Sequence, residues 1–479
     1  MFNDIREFIR KMDEVGECKI VEGADWDLEI GLITEWQSSV PKNKLLMFDK
    51  IKGYPPGFRI ATNLFSTVER TALALGLPSG IASIKKMEVV KALKEKLKEG
   101  YSRLIPPIVT EDAPVKENIY LNDQVDLFKF PTPKWHKSDG GRYIGTGHAV
   151  ITMDPDEGWV NLGCYRVEIQ DKSTLTIWMV PGRDGDLMIR KWWARGVNTP
   201  VAIAIGLDPI LWGASHFDLP WGISEYDYAG GYRGKPVEVT KGITVDLPIP
   251  ARAEIVLEGE MVQGETREEG PFGEFTGYYA TGVTQVPSVR VKAILHRNSP
   301  IIHGAPPLLI TSAWTLAHSY RRAANAWIEL DKLIPGITGV WLQDYGSYRP
   351  LVISIKQLWD GHARQVAMLA LSIHQTGFNN RFVIIVDEDI DPSDPQQVLW
   401  ALATRCDPEN QIDIIKGTRG SVIDPVLHPD KKKRGELGLS TAIIVACRPF
   451  PWIKEFPPTI ASTPEDLKGV QEKWGKFFG

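Results

Sequence analysis

Near the start of the chain, apolar residues recur at helical spacing: Ile5, Phe8, Ile9, Met12 and Val15 follow Asn3 and Asp4, two residues that can cap a helix. The same period returns from Ile84, behind Ser83, to a stop at Gly100. Between these helices, KLLMFDKI and GFRIATNLF carry the dense apolar runs of strands. Residues 1–115 therefore form an N-terminal α/β region that ends in a proline-rich stretch around Pro106, Pro107 and Pro114. From about Asn118 to Pro306 the texture changes to short β-branched runs, YRVEIQ, TLTIWMV, AEIVLEGEMV and VRVKAILH, set between Gly, Pro and Asp turns. Residues 116–310 read as a β-rich domain, a barrel. TSAWTLAHSYRRAANAWIELDKL returns to helix and predicts a connector over 311–335. Beyond it VWLQDY, LVISIKQ, RFVIIVDEDI and IDIIKG alternate with helical GHARQVAMLALSIH and DPQQVLWALATR, the pattern of βαβ crossovers, so 336–479 is a C-terminal α/β domain. KKKR at 431–434 reads as a solvated loop.

A chain of 479 residues has room for two to four such domains. Its 55 basic and 60 acidic residues leave a net charge of -5, which supplies no basic surface for phosphate backbones and favours a small-molecule substrate over nucleic acid. The start MFNDIREFIRKMDE is charged from Asp4 onward, and no run approaches the ~18 apolar residues of a membrane helix, so no membrane span and a cytoplasmic location are expected. Cys18, Cys164, Cys406 and Cys447 stand too far apart for a C-x-x-C site and read as ordinary thiols.

The most unusual segment is Glu268 to Gly277, EEGPFGEFTG. Glycines and a proline exclude a helix, so a tight turn can bring Glu269 and Glu274 together. Two carboxylates converging beside Phe272 and Phe275 would push at least one pKa up and leave a proton donor near neutral pH; a solvated acidic hairpin is the alternative. Upstream, the glycine-rich run Gly140 to Gly147 precedes NLGCYR, in which Arg166 offers a fork that matches a carboxylate. Those glycines could let backbone N–H groups approach a phosphate, but the run lacks the ending of a P-loop. No H-E-x-x-H is present, so a metal here would meet oxygen ligands, for which Asn161, Asp184 and Glu225 are available and Mg²⁺ or Mn²⁺ suited.

Taken together, NLGCYR, SEYDYAGG (224–231), EEGPFGEFTGYY (268–279) and VDEDIDPSDPQQVLWALATR (386–405) resemble the successive signatures of the UbiD-like decarboxylases, the family of polyprenyl-hydroxybenzoate and ferulic acid decarboxylases. The resemblance spans most of the chain. It implies a multidomain fold, α+β and α/β, in which a central split β-barrel like that of flavin reductases is flanked by the N-terminal α/β region and the C-terminal α/β domain. It further implies a carboxy-lyase that decarboxylates aromatic, heteroaromatic or α,β-unsaturated acids reversibly, releasing CO₂ with prenylated FMN supplied by a separate flavin prenyltransferase. By the same resemblance Glu269, Arg166 and Glu274 form the catalytic network: Glu274 is the acid/base, and Arg166 holds the substrate carboxylate and pairs with Glu269. The divalent metal falls on Asn161, Glu225 and Asp184, which stands where the family usually has a histidine. K⁺ is a further candidate ion. Gly163, Ser215, His216 and Lys356 are candidate cofactor contacts, Lys356 for the phosphate, and a homodimer or homohexamer is expected. Within this fold the alternatives are the carboxylase direction or an aryl-CoA decarboxylase. Outside it stands a flavin-binding subunit or oxidoreductase without the chemistry, against which the joint retention of Arg166, Glu269 and Glu274 argues.

Overall fold

Asp4 caps helix α1 (Ile5–Glu14) by accepting the Glu7 N–H at 2.8 Å, and Ile5, Phe8, Ile9 and Met12 form its buried face. The computed structural model describes residues 1–479 except 41, 78–84, 218, 310–311, 345–348, 378–379, 461, 463 and 479. The N-terminal part continues through β1 (Cys18–Glu22), α2 (Glu29–Ser38), β2 (Leu45–Asp49), β3 (Arg59–Thr62), α3 (Val68–Ala74) and α4 (Lys86–Ser102). The expected helix start at Ser83 and Ile84 lies outside the described residues. Helices α2 and α3 have no clear apolar period. In α2 the buried positions are Ile30, Gly31 and Thr34, while Leu32 and Trp36 face solvent. In α3 the buried face includes Arg70, whose two terminal nitrogens donate to Asn43 O at 2.6 Å and Ser66 Oγ at 2.7 Å. A buried charge whose terminal nitrogens are hydrogen-bonded is tolerated, but it disguises the pattern.

The middle of the chain holds β4 (Ile108–Val109), β5 (Asn118–Leu121), β6 (Arg142–Gly145), β7 (His148–Met153), β8 (Val160–Gly163), β9 (Val167–Ile169), β10 (Thr174–Ile177), α5 (Asp184–Ala194), β11 (Thr199–Ile205), α6 (Pro209–Ala214), α7 (Glu225–Arg233), β12 (Glu238–Lys241), β13 (Pro248–Pro250), β14 (Ile255–Glu269), β15 (Thr284–His296) and β16 (Ile301–His303). Nine of these strands make a curled sheet in the order β6-β9-β10-β15-β14-β11-β7-β8, with β5 added on β15. The path is open at β6 and β8, so the sheet curls without closing through a hydrogen-bonded seam. A strand pairing ties the middle to the N-terminal part: β16 runs parallel to β3, completing a sheet β1-β2-β3-β16, while β4 pairs with β12.

Helix α8 (Ala313–Leu333) then leads to a five-stranded sheet of β17 (Ile337–Leu342), β18 (Pro350–Ile355), β19 (Phe382–Asp387), β20 (Ile412–Arg419) and β21 (Gly438–Ala446), ordered β17-β18-β19-β21-β20. Strands β18, β19 and β21 are parallel, and α9 (His362–Ser372) makes the crossover between the first two. The edge strands β17 and β20 are antiparallel. Tyr320 and Trp327 of α8 are buried, Tyr320 edge-on to Trp341 at 5.0 Å, and serve the core. Among the described residues no helix is long and apolar enough to cross a membrane.

Candidate active site

Strand β14 ends at Glu269, and the chain turns at once through Gly270 (φ 90°). The turn is pinned from outside. Gly140 N donates to Pro271 O at 2.7 Å, Gly273 N to Asp139 Oδ1 at 3.1 Å, and Glu274 N to Tyr278 O at 3.1 Å. The carboxylates of Glu269 and Glu274 thereby face one residue, Arg166, which lies between β8 and β9. Arg166 donates from Nε to Glu269 Oε1 at 2.7 Å and from its second terminal nitrogen to Glu269 Oε2 at 2.6 Å, while the remaining terminal nitrogen pairs with Glu274. The three are 8%, 1% and 8% exposed for Arg166, Glu269 and Glu274, so water screens the network little. Trp178 and Phe272 stack on the guanidinium at 4.4 and 5.3 Å.

Burial pushes the Glu274 carboxyl up; Arg166 opposes that rise and Glu269 reinforces it. For Arg166 burial works against the charge, but Glu274 and Glu269 more than offset it, and the guanidinium stays a cation. One cation between two buried carboxylates, one of them biased toward its protonated form, can hold an anionic substrate and a transferable proton side by side. Lys432 adds a second, half-buried cation: its Nζ donates to Ala280 O at 2.8 Å, and its field reaches Glu274. The reading of 431–434 as a solvated loop is corrected at this residue, since tertiary packing of the C-terminal part folds it over the turn after Glu274.

A second cluster forms around Tyr165. Leu162 N donates to Glu225 Oε2 at 2.7 Å, which brings that carboxylate beside Asn161 on β8. Asp184 and Glu225 are the first residues of α5 and α7, and both press electrostatically on the buried Tyr165 phenol, whose pKa is raised by burial first. Arg183, next to Asp184, acts on the same phenol and on His318. His318, Arg321 and Arg322 share a face of α8, with Arg321 donating to His318 Nδ1 at 3.0 Å. Burial, then Arg321 and His216, hold His318 neutral. The HSYRR spacing i, i+3, i+4 carries this basic stripe in the sequence. Ser215 Oγ and His216 Nδ1 both meet Trp212 O at 2.8 Å, and burial pushes the His216 ring down to about 3. His216, Trp212, Phe217 and Arg321 border an apolar pocket that Arg166, Glu269 and Glu274 do not line.

Two expectations change. Lys356 does not join either cluster. It is exposed at the far end of β18, about 20 Å at the usual strand rise from Arg349, the residue whose guanidinium stacks on Phe275. Its backbone N–H bonds Gly336 O just beyond the C-terminus of α8, whereas His318 and Arg321 lie in that helix's first half. The glycine-rich run also serves another purpose than a phosphate cradle. A Cβ on Gly140 would stand 2.0 Å from Gly270 O, and one on Gly141 would stand 2.3 Å from Glu168 Oε1, so these glycines admit the carboxylate network. Gly163 has a similar place, since a Cβ there would meet the Tyr165 ring at 2.4 Å.

Three family models cover most of the chain. The 3-octaprenyl-4-hydroxybenzoate carboxy-lyase N-terminal domain matches residues 9–87, its Rift-related domain 107–308 and its C-terminal domain 316–445. A phenolic acid decarboxylase of Bacillus subtilis is 33% identical over 441 residues, 89% of this chain and 90% of that protein. The UbiD-class enzyme HmfF of Pelotomaculum thermopropionicum, solved with FMN, superposes with a TM-score of 0.86 at 29% identity over 97% of this chain and 98% of that one. The vanillic acid decarboxylase of Sedimentibacter hydroxybenzoicus has a TM-score of 0.84 at 27% identity, covering 100% and 99%.

Proposed function

Because this chain belongs to the UbiD family of carboxy-lyases and is an enzyme with decarboxylase activity, we propose that it decarboxylates an aromatic, heteroaromatic or α,β-unsaturated acid, reversibly and without net oxidation, using prenylated FMN. HmfF was solved with FMN and, as an evolved dimeric form, with prFMN, which supports the cofactor. The observation that carries the reading is Arg166 held between Glu269 and Glu274 in an aromatic, water-poor pocket. The curled central sheet would then be the flavin-reductase-like split barrel that carries the cofactor.

The residues of the second cluster fit the cofactor's charged end. Asn161, Asp184 and Glu225 offer oxygen donors alone, the set a hard Mn²⁺ or Mg²⁺ ion takes. The helix starts at α5 and α7, with Arg183, His318 and Arg321 nearby, suit a phosphate, and they replace Lys356 in that role. Ser215, His216 and Gly163 would line the approach. Departure of CO₂ from an sp² carbon leaves an electron pair that no side chain here can delocalise, and bound prenylated FMN supplies that sink. The chain's own groups do the rest. Arg166 receives the substrate carboxylate on its fork, Glu269 keeps the fork oriented, and Glu274 delivers the proton that replaces CO₂. Trp178 and Phe272 exclude water and give a planar substrate apolar walls. We place oligomerisation in the C-terminal part, supported by the helix Pro464–Phe478, where Leu467, Val470 and Trp474 are exposed.

Co-expressed with a flavin prenyltransferase, the protein is expected to carry a flavin heavier than FMN by the prenyl addition and to release CO₂ from members of a panel of aromatic and heteroaromatic acids. Mass spectrometry of the extracted flavin and CO₂ detection check this; a flavin-free protein that turns over none of the panel overturns it.

Asp184→Asn is expected to lower metal retention at least about tenfold and to lower flavin loading with it, because a carboxylate ligand becomes neutral. Metal analysis and flavin absorbance on the purified variant are the measurements. Loading equal to wild type would make Asp184 a helix-start residue only.

A further inference from the structure

Arg166 is confronted by three carboxylates, and the proposed chemistry uses two. The third is Glu168, two residues beyond Arg166 and in the middle of β9. It is 5% exposed and, among the described residues, has no ion-pair partner within 4 Å. Its Oε2 accepts the Gly270 N–H at 3.1 Å, from the very peptide that follows Glu269. Directly opposite on the antiparallel strand β6 stands Tyr143, fully buried. The Tyr143 hydroxyl lies between the two acids, 3.0 Å from Glu269 Oε1 and 3.4 Å from Glu168 Oε2.

A phenol has one proton and two lone pairs. Donated to the nearer Glu269, that proton leaves the phenol oxygen open to a proton from Glu168, so the neutral acid form of Glu168 satisfies every group in the chain Glu168, Tyr143, Glu269. An ionised Glu168 would instead face Glu269 across a phenol already committed, with Arg166 bound to the other carboxylates. The other neighbour across β9 is Thr176 on β10, which carries no charge and accepts from Gln170 at 3.1 Å. Gly141 leaves the space that the Glu168 carboxyl fills.

We propose that Glu168 is the proton store of this active site and that the Tyr143 hydroxyl couples it to Glu269. The inference rests on the decarboxylase reading above. Glu168 passes its proton to the Tyr143 oxygen while the phenol's own proton moves to Glu269 Oε1. The net change is one proton from Glu168 to Glu269, with Tyr143 unaltered. Arrival of a substrate carboxylate at Arg166 adds an anion beside Glu269 and drives this shift. A neutral Glu269 then loosens its hold on the fork, and the guanidinium turns to the substrate. Glu168 is a positioning residue, acting through Glu269 and not on the substrate. Its carboxyl is pushed up to about 7, by burial first, with the Gly270 N–H opposing and Glu269 adding to the rise. Glu168 therefore holds its proton below about pH 7 and has lost it above, which is where the store empties.

Infrared difference spectra of the full-length protein, wild type against Glu168→Gln, read the store without substrate or cofactor. The wild type is expected to show a protonated-carboxyl band that fades as pH rises through about 7 and that is missing from Glu168→Gln. The amide keeps an acceptor for Gly270 N–H, and a thermal melt checks that the fold is kept. In the loaded enzyme, with an acid the wild type turns over, Glu168→Gln and Tyr143→Phe are both expected to lower kcat about tenfold at near-constant KM and to lose the limb of the kcat profile that falls through about pH 7. An unchanged band in Glu168→Gln, or wild-type kcat and pH profile in both variants, overturns the inference. If no acid in the panel is turned over by the wild type, the decarboxylase reading fails on its own, while the infrared band still decides whether Glu168 stores a proton.

Discussion

Glu274→Gln is expected to lower kcat by about 10²- to 10⁴-fold while the flavin stays bound, because an amide fills the same space and delivers no proton. Glu274 sits against the Arg166 guanidinium, is 8% exposed, and is biased toward its acid form by burial. Among the described residues no other carboxyl pairs with that terminal nitrogen of Arg166. Glu269 is committed to the fork of Arg166 by two bonds, and Glu168 meets the network at Tyr143 and the Gly270 N–H. Single-turnover kinetics beside flavin absorbance make the check. Turnover within a few fold of wild type would assign proton delivery to another group, and Lys432, whose field reaches Glu274, would be the next to test.

Arg166→Ala is expected to abolish turnover and also to destabilise the protein by about 3–5 kcal/mol at neutral pH, the usual result of removing one partner from a buried ion pair. Among the described residues, Glu269, 1% exposed, would keep only the Tyr143 hydroxyl as a side-chain partner. The sign of the pH dependence follows. The loss arises from ionised carboxylates without a cation, so it is largest where they are charged and shrinks as acid protonates them. Thermal melts should show the gap between wild type and Arg166→Ala narrowing as pH falls from neutral. Arg166→Lys separates the two effects. An ammonium restores a charge but cannot span Glu269 with two nitrogens and Glu274 with a third, so much of the stability should return while kcat stays about 10²-fold down. An Arg166→Ala protein with wild-type turnover would remove the fork from the mechanism.

Several elements were legible because their physics is local. The apolar period of α1 and its Asp4 cap are both within one helix, and the strands LLMFD and FVIIVD announce themselves by dense apolar runs. Glu269 and Glu274 could be paired in advance because glycines and a proline between them force a turn. Other elements were hidden for equally physical reasons. Glu168 looks like the solvent-facing half of an alternating strand, and only the register of β6 against β9 puts Tyr143 opposite it and the turn of Gly270 above it. Lys432 looks like one of four loop cations until the C-terminal part lays it over Ala280. Arg70 and the basic stripe of α8 interrupt apolar faces with charges that polar neighbours engage.

By itself the sequence determined many of the helices and strands, the change of texture along the chain, the family, and the residue types of the carboxylate network. These depend on neighbours within a few positions or on motifs that survive as strings. The tertiary structure alone decided which glycines admit a carboxylate and that Lys432 stands beside the network, and it left Lys356 exposed at the end of β18. It also decided how many carboxylates share one arginine. That number depends on strand register and on a turn from a strand more than a hundred residues away, and no local spacing encodes it.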